Sequence, residues 1–241
     1  MRVSVVVPAF NEERLLAQSL QSIRAALRAF EAPGWSCELI VCDNNSTDRT
    51  AAIAREAGAR VVFEPVNQIS RARNAGAAQA SGDWLIFVDA DSMPSIELFS
   101  EVRSVISAGR CLAGGATVTF GETTFDVALA IGLWNALSRL NRWAAGSFIF
   151  CEAASFREAG GFSEELYASE EIELFRRLKR MARRKGRSIV ILHRHPLRSS
   201  DRRARLYGWG AFFRFIGRMI VTGGRSLRSR TDCGLWYDGR R

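Results

Sequence analysis

Two carboxylates one residue apart, Asp89 and Asp91, directly follow an apolar run at residues 84–88. The run predicts a buried strand, and open α/β sheets bind their ligands at the carboxyl ends of the strands. Carboxylate oxygens are hard ligands that suit a divalent cation such as Mg²⁺ or Mn²⁺. The position of the pair therefore indicates a divalent metal together with a phosphorylated ligand. An isolated Asp-x-Asp is common in surface turns, so it is the preceding strand that favours a functional site.

Two further pairs of side chains could take part in chemistry. Arg71 and Arg73 lie early in a predicted helix, where a spacing of two places them on different faces, so one of them is expected to be solvated. His193 and His195 are the two histidines of the chain and follow the last predicted strand. They could supply a late metal ligand, although a hydrogen-bonded or solvent-facing histidine is the simpler interpretation.

The elements that must position these residues alternate between strand and helix patterns. Strands are predicted at residues 3–7, 37–42, 60–63 and 84–88, and helices at residues 12–30, 47–57 and 69–80. Beyond residue 91 a less regular pattern predicts helices at residues 94–108, 125–145 and 169–184 and strands at residues 111–120, 147–151 and 188–192. Strands joined by helical crossovers pair in parallel and carry helices on both faces. The fold class is therefore α/β, with a mostly parallel, Rossmann-like central sheet in a three-layer α/β/α arrangement.

The composition is that of a folded globular domain. With 241 residues, 47% of them hydrophobic and 24% charged, the chain can bury a sizeable core and is expected to form one domain with a short appendage. No apolar run approaches the roughly 18 residues of a spanning helix and no signal-peptide pattern is present, which favours a cytoplasmic location. The five cysteines are scattered without a paired spacing, so we expect reduced thiols that mostly fill the core.

The formal net charge of +9 is concentrated late in the chain, whereas the first hundred residues are nearly balanced. A basic end fits an anionic membrane surface, a phosphorylated acceptor or a nucleic acid. No RNP, zinc-finger or helix-turn-helix signature supports nucleic acid, and a solvated basic face is the simplest alternative. Residues 206–221 mix aromatic side chains with arginines and are too short and too charged to span a bilayer. This segment is expected either to lie in a membrane interface or to pack on the domain.

Five segments in a fixed order carry a family resemblance. They are VVVPAFNEE at residues 5–13, VCDNNSTD at residues 41–48, RARNAG at residues 71–76, DAD at residues 89–91, and GGF at residues 160–162 with EEIEL at residues 170–174. Together they resemble the motifs of family 2 glycosyltransferases with the GT-A fold, over roughly residues 3–180. One such motif would be weak evidence, whereas five in order are specific.

The resemblance implies a GT-A domain at residues 1–200, with a nucleotide half at about residues 1–91 and an acceptor half at about residues 92–200, followed by a helical, basic and aromatic-rich tail at residues 201–241. It implies an inverting, metal-dependent glycosyltransferase that moves a sugar from a nucleotide-sugar donor, typically a UDP-sugar, to a hydroxyl acceptor. A lipid-linked molecule or a cell-envelope glycan is a candidate acceptor. The tail would then contact the cytoplasmic face of the inner membrane, and nucleic acid is not expected as a partner.

The same resemblance places the nucleotide pocket at the turn after the first strand and at charged residues beyond it. The turn consists of Pro8, Ala9, Phe10, Asn11 and Glu12. Asp43 would accept a hydrogen bond from the nucleobase, although a plain helix N-cap is an equal alternative. At least one of Arg71 and Arg73 would face the nucleotide or its phosphates.

The resemblance assigns Asp91 to the metal, Mg²⁺ or Mn²⁺, as a direct ligand. Asp89, on the other side of Ala90, would reach the ribose or a metal-bound water, because side chains alternate in direction along an extended chain. Ser92 stands where many relatives have another acid, so the site would be poorer in carboxylates, and His193 is a candidate late ligand.

The catalytic base falls on Glu171 of the pair formed with Glu170, where the family pattern has Glu-Asp. A glutamate can still take the proton of an acceptor hydroxyl, but its extra methylene shifts its reach by about an ångström, which can alter the rate. An acid at a helix start can also be merely structural, because the helix dipole stabilises it. Arg202 lies in a stretch at residues 199–203 that resembles a Ser-Ser-x-Arg-Arg motif, where an arginine could clamp the diphosphate.

Two alternatives to this function remain open at the level of the sequence. A nucleotidyltransferase of the same fold would need a Gly-rich, Lys-containing phosphate loop after the first strand, and the sequence there has no such loop. A catalytically impaired nucleotide-sugar-binding or membrane-scaffold protein would result if the change from Asp to Glu at the base had abolished catalysis.

Overall fold

The computed structural model describes residues 1–121, 125–200, 202, 214, 217–219 and 221–237. Its strands are β1 (Arg2–Ala9), β2 (Ser36–Asp43), β3 (Arg60–Phe63), β4 (Trp84–Val88), β5 (Ser92–Met93), β6 (Cys111–Thr119), β7 (Phe148–Glu152) and β8 (Ser188–Ser199). Its longer helices are α1 (Leu16–Leu27), α2 (Thr50–Glu56), α3 (Ile69–Ala78), α4 (Ile96–Ser107), α5 (Phe125–Asn141), α6 (Ala153–Glu158) and α7 (Glu170–Arg184). Short 3₁₀ helices at Arg28–Phe30 and Arg225–Arg228 and a one-turn helix at Gly234–Tyr237 are also present.

The strands form one mixed sheet in the order β3-β2-β1-β4-β7-β6-β8-β5. β1 pairs in parallel with β2 and β4, and β2 pairs in parallel with β3. Beyond β4 the sheet is mixed, because β7 is antiparallel to both of its neighbours while β6 and β8 are parallel. The predicted α/β class is confirmed, and its all-parallel part coincides with the first half of the chain.

The core lies on both faces of the sheet, which explains the continuous valine run of β1. Val5 and Val7 pack into the hydrophobic cluster that contains α1 and α4, whereas Val6 packs into the cluster that contains α7. A strand that is buried on both faces needs apolar side chains at every position, because successive residues point to opposite sides. The central strands are therefore rigidly held, and their carboxyl ends form a fixed platform.

The structure departs from the sequence pattern in the second half of the chain. β8 continues to Ser199 and includes Pro196, although the pattern predicts its end at Leu192. Proline is tolerated on an edge strand because its missing N–H needs no partner, and β5 pairs with only Ser199 and Arg198. β5 itself is too short for any periodicity to predict, and α5 ends at Asn141 rather than near residue 145.

The cysteines are all free and four of them are buried, which confirms their assignment as core thiols. Most of the aromatic and basic segment at residues 206–221 lies outside the described residues. Residues 222–237 pack back onto the domain, where the backbone N–H of Tyr167 donates to the carbonyl of Leu227 at 2.7 Å. Within the described residues, no helix combines the length and the apolarity that crossing a bilayer requires.

Candidate active site

The carboxyl ends of β1, β2 and β4 meet at one edge of the sheet and form a pocket. In sequence, its lining comes from the turn after β1, the residue after β2, the start of α3 and the acidic turn after β4. The lining residues are Pro8, Ala9, Phe10, Glu12, Asn44, Ile69, Asp89, Ala90 and Asp91. The structure therefore brings the Pro8–Glu12 turn and the Asp-x-Asp turn together, in agreement with what the family resemblance implies.

The turn after β1 is tied to the loop after β2. Asn11 has a positive φ of 51°, its backbone N–H donates to Ser46 Oγ at 3.0 Å, and its Oδ1 accepts from the Thr47 backbone at 2.8 Å. The Glu12 backbone N–H donates to Thr50 Oγ1 at 2.8 Å. These bonds fix the turn at the mouth of the pocket. Asn11 thus ties the turn after β1 to the loop after β2. It is not the N-cap of α1, which begins at Leu16.

Asp43 and Asn44 occupy the end of β2 and have different roles. Asp43 is buried, and its Oδ1 accepts from the backbone N–H of Ser46 at 3.1 Å, as in a local turn. Asn44, which the sequence argument missed, accepts from the backbone of Gln68 at 2.8 Å and donates to the carbonyl of Val66 at 2.6 Å. Asn44 thereby anchors the loop that leads into α3. In the sequence, only its place in the VCDNNSTD segment could have indicated this role.

Arg73 connects the acidic turn after β4 to the acidic start of α7. Its guanidinium donates to Asp89 Oδ1 at 2.9 Å, to Glu170 Oε1 at 2.7 Å and to the carbonyl of Gly146 at 2.8 Å. The side chain is only 2% exposed, and its carbon Cζ lies 5.2 Å from the ring centroid of Phe162. Burial alone would lower the pKa of Arg73, but the surrounding carboxylates outweigh burial and raise it. Arg73 is therefore a permanent cation between the two acidic clusters.

Arg71 points to a different face of α3, as the spacing of two predicts. Its guanidinium lies 3.4 Å from Glu64 Oε1 and 2.7 Å from Glu164 Oε2, and its side chain is 36% exposed. Asn74, one turn further, exchanges two hydrogen bonds of 2.9 Å with the backbone of Phe162. Arg71 and Asn74 thus hold the loop before α7 against α3. Asn74 was not predicted as a site residue, although it lies within the RARNAG motif.

Glu171 is a carboxyl group whose surroundings oppose ionisation. Burial and the neighbouring charge of Glu170 raise its pKa to about 8, against the opposing effect of Arg73. A Cβ added to Gly146 would lie 3.5 Å from both Glu171 Cδ and Arg73 Nη2, so the loop before β7 closely approaches both groups. Ser169, just before α7, has a positive φ of 62°, a backbone conformation that is uncommon for a residue other than glycine.

Arg202 lies at the opposite side of the acidic turn. Its guanidinium makes two hydrogen bonds with the Glu12 carboxylate, at 2.8 and 2.7 Å, and Nη2 lies 3.6 Å from Asp91 Oδ2. Glu12 and Asp91 are 5% and 8% exposed, so the three charges are largely removed from water. The predicted clamp Arg202 therefore does reach the pocket, through a bidentate pair with Glu12 that the sequence did not indicate.

A divalent cation would find two carboxylates at this edge. Mg²⁺ and Mn²⁺ often bind proteins through only one or two carboxylates and take further ligands from substrate phosphates and water, so Asp89 and Asp91 fit such an ion. Among the described residues, no cluster of three or more His, Cys, Asp or Glu side chains forms a metal cage. Ser92, in place of a third acid, hydrogen-bonds Ser199 Oγ at 3.1 Å.

The structure does not bring His193 to these aspartates. His193 is exposed on β8, and Ser199 of that strand pairs with Ser92 beside Asp91. The six residues from His193 to Ser199 span roughly 20 Å along a strand, at a rise of about 3.3 Å per residue. His195 is also exposed and lies 3.9 Å from Glu101 of α4. The solvent-facing interpretation of the histidines therefore agrees with the structure, and His193 leaves the set of candidate metal ligands.

Tyr237, near the carboxyl end of the described residues, contacts the two elements that carry site residues, α3 and the turn before α7. The Tyr237 hydroxyl accepts from the backbone N–H of Ile69 at 3.3 Å, at the start of α3. Tyr237 packs with Ala168 and the buried Cys233, next to the turn that leads into α7. Burial and the nearby charge of Glu170 raise the pKa of Tyr237, so its hydroxyl stays neutral. No pattern in the sequence predicted this contact.

A sheet of this topology, with acidic residues at the end of β4 and a second acidic pair facing them, defines a nucleotide-binding α/β domain of the GT-A type. Residues 4–159 match the profile of the family described as Glycosyl transferase family 2. The chain therefore belongs to the family 2 glycosyltransferases. The resemblance inferred from its five motifs is confirmed.

Solved structures share the fold at low sequence identity. The mannosyltransferase PcManGT from Pyrobaculum calidifontis, in complex with GDP-Man and Mn²⁺, is 17% identical with a TM-score of 0.65 over 88% of this chain and 61% of that one. Glucosyl-3-phosphoglycerate synthase from Mycobacterium tuberculosis, in complex with Mn²⁺, UDP and glucosyl-3-phosphoglycerate, is 21% identical. Its TM-score is 0.62, over 96% of this chain and 80% of that one. These similarities confirm the GT-A fold.

Curated relatives match over part of their length. An uncharacterized glycosyltransferase of Mycobacterium tuberculosis is 40% identical over 89 residues, which are 37% of this chain and 36% of the relative. Across the relatives compared, the matched segment spans between 23% and 38% of the relative's own length. The similarity therefore concerns the GT-A domain and not the remainder of those proteins.

Proposed function

We propose that this protein is an inverting, metal-dependent glycosyltransferase that moves a sugar from a nucleotide-sugar donor, a UDP-sugar, to a hydroxyl acceptor. The observation that carries the proposal is the Arg73 bridge. It joins Asp89, on the donor side, to Glu170, next to the candidate base Glu171 on the acceptor side, so that the two halves of the reaction share one buried network. The complexes of PcManGT with GDP-Man and Mn²⁺ and of glucosyl-3-phosphoglycerate synthase with Mn²⁺, UDP and glucosyl-3-phosphoglycerate support a nucleotide-sugar donor.

The donor would bind in the pocket at the end of β1, β2 and β4. Backbone groups of the Pro8–Glu12 turn and the carboxylate of Asp43 are the candidate partners of the nucleoside. Asp91 would hold Mg²⁺ or Mn²⁺ directly, with Asp89 beside it, and the ion would neutralise the departing diphosphate. Arg202, now paired with Glu12 and close to Asp91, would exchange these carboxylates for diphosphate oxygens when the donor binds.

The chemical step requires a base on the acceptor side. As the bond from the sugar C1 to the diphosphate oxygen breaks, the acceptor oxygen forms the new bond to C1, and its proton passes to the Glu171 carboxylate. One displacement with one base inverts the configuration at C1. A pKa of about 8 makes the ionised form of Glu171 a stronger base than an ordinary carboxylate, and the share of this ionised form grows as the pH rises through about 8. Arg73 would act as a positioning residue, since it holds Glu170 and the Gly146 carbonyl around the base.

The acceptor and the place of action are further parts of the proposal. A lipid-linked acceptor or a cell-envelope glycan fits a basic protein, because both carry or adjoin negative charge. The tail at residues 201–241 stays a predicted contact with the cytoplasmic face of the inner membrane.

The test is donor turnover by the full-length chain with Mn²⁺, measured as UDP release. Glu171→Gln should lower the rate at least about 100-fold, the usual contribution of a general base, while nucleotide binding is kept. The matched control is Glu158→Gln, an exposed glutamate whose partner is Lys185. Normal turnover by Glu171→Gln would refute the assigned base. Nucleotide binding without turnover on any nucleotide sugar would favour the binding or scaffold alternative.

A further inference from the structure

One face of α5 presents a row of leucines to solvent. Leu129, Leu133, Leu137 and Leu140 are 64%, 62%, 42% and 81% exposed. Their spacing of four, four and three residues places them on a single stripe of the helix, and the exposed Gly132 and Ala136 lie between them. Single exposed leucines are ordinary on a protein surface, but a continuous apolar stripe marks an interaction site.

The orientation of α5 is fixed by its other face. The side chain of Asn135 accepts from the Val118 backbone N–H at 3.0 Å and donates to the Val118 carbonyl at 2.9 Å, which ties the helix to β6. Ile131 and Trp134 pack against the core on the same side. The helix therefore cannot bury the leucines by rotating, because that would break both backbone bonds and expose the core face.

Cations surround the carboxyl end of this stripe. Arg139 and Arg142 are exposed at the end of α5 and just after it. Lys179 of α7 donates to the carbonyl of Asn141, and its Nζ lies 5.6 Å from the ring centroid of Trp143. Burial lowers the pKa of Lys179, and the charges of nearby arginines lower it further, so several cations share one patch. The neighbouring arginines are Arg142, Arg183 and Arg176.

We propose that the leucine stripe of α5 and the adjoining cations form a surface that binds an anionic lipid bilayer. An apolar helix face flanked by lysine and arginine side chains is the arrangement by which helices lie in a membrane interface. The leucines would enter the boundary between head groups and acyl chains, while the cations would meet anionic lipid head groups. A second copy of the chain would not be favoured at this patch, because like charges would face each other across a two-fold axis.

This surface adjoins the candidate active site. The loop from α5 to β7 carries Gly146, whose carbonyl accepts from Arg73, and Ser147, whose carbonyl accepts from the Asp89 backbone at 3.1 Å. Docking of α5 would therefore hold the Glu171 side of the site near the bilayer. This last step rests on the proposed function and implies an acceptor hydroxyl or phosphate at the head of a lipid. The bilayer-binding surface itself does not depend on it.

The test is co-sedimentation of the full-length protein with vesicles of phosphatidylcholine, with and without phosphatidylglycerol. We expect binding to the phosphatidylglycerol vesicles, a loss of about tenfold or more in Leu133→Gln/Leu137→Gln, and a loss of about fivefold per charge in Arg139→Gln/Arg183→Gln. The matched control is Phe63→Gln/Ile96→Gln, which removes two side chains of similar exposure, 59% and 41%, and should bind as the wild type does.

Several results would overturn the proposal. The bilayer-binding surface would be refuted if the wild-type protein bound neither kind of vesicle. It would also be refuted if the double leucine variant bound as tightly as the wild type. A dimer in light scattering that Leu133→Gln/Leu137→Gln disrupts, without vesicle binding, would assign the stripe to a second copy. A lowered melting temperature of that variant, without vesicle binding, would show that the leucines are covered by the chain itself. UDP release in solution by the leucine variant separates failure of this surface from failure of the proposed function.

Discussion

Replacing Glu171 by glutamine should change how the stability of the protein depends on pH. The folded protein holds this carboxyl at a pKa of about 8, against an ordinary value of 4.5. Between these two values the folded state binds a proton that the unfolded state has lost. The stabilising contribution is therefore fully present below about pH 4.5 and is lost as the pH rises through about 8. A glutamine side chain does not ionise and is free of this loss.

The magnitude follows from the same pKa difference. At 1.36 kcal/mol per pKa unit the upper bound is about 5 kcal/mol, and partial exposure of Glu171 to water reduces it to roughly 1–3 kcal/mol. Arg73 keeps two carboxylate partners in the variant, Asp89 and Glu170, so its charge stays compensated. In the absence of ligands, Glu171→Gln should match the wild type at about pH 5 and melt higher at about pH 9, by about 2–4 °C per kcal/mol.

The assay is thermal unfolding of both proteins across the pH range, with Glu158→Gln as the control. Glu158 is exposed and paired with Lys185, so its replacement should give a small offset without a rise between the two pH values. The reasoning would be refuted if Glu171→Gln melted lower than the wild type at about pH 9, or if its offset were the same at every pH. Either result would mean that Glu171 ionises as an ordinary surface acid does.

Three further changes test the network around the pocket. Arg73→Met should lower the free energy of unfolding in urea by about 3–5 kcal/mol, because it leaves the buried Glu170 without its cation; Arg73→Lys should recover part of this. A loss within 1 kcal/mol for Arg73→Met would contradict the buried bridge. Arg202→Gln should raise the KM for the donor more than it lowers kcat, since the guanidinium that would leave Glu12 to bind the diphosphate is removed; an unchanged KM would exclude the clamp. Tyr237→Phe should cost about 0.5–1.5 kcal/mol in the same urea titration, and no loss would mean that its hydroxyl contributes nothing.

Much of the first half of the fold follows from local sequence pattern. Valine-rich β1 is buried on both faces, and the acidic turn comes at the end of an apolar strand, so the pattern predicts both strands, whereas the family resemblance is what predicts the Pro8–Glu12 turn at the same pocket. Parallel strands present their carboxyl ends at one edge, which is why residues distant in sequence meet there. The helix spacing also separates Arg71 from Arg73 correctly.

Contacts that depend on tertiary packing could not be predicted in this way. The spacing predicts that one of the two arginines is solvated, but it does not predict that Arg73 reaches Glu170, which lies 97 residues further along the chain. The extension of β8 through Pro196 depends on the short pairing with β5, which leaves most of that edge of β8 open. The contact of Tyr237 with α3 depends on the path by which the carboxyl-terminal residues fold back onto the domain. The leucine stripe of α5 has the periodicity of a buried helix, and only the structure shows that it faces solvent.

The central claim is that this domain binds a nucleotide sugar through a metal held at Asp91, and a thermal-shift titration tests it most directly. With Mn²⁺, a UDP-sugar at about 100 times its Kd should stabilise the wild type by about 2.7 kcal/mol, and the shift should be absent without metal and in Asp91→Ala. The account would be contradicted if no nucleotide sugar raised the melting temperature with Mn²⁺, or if Asp91→Ala responded as the wild type does.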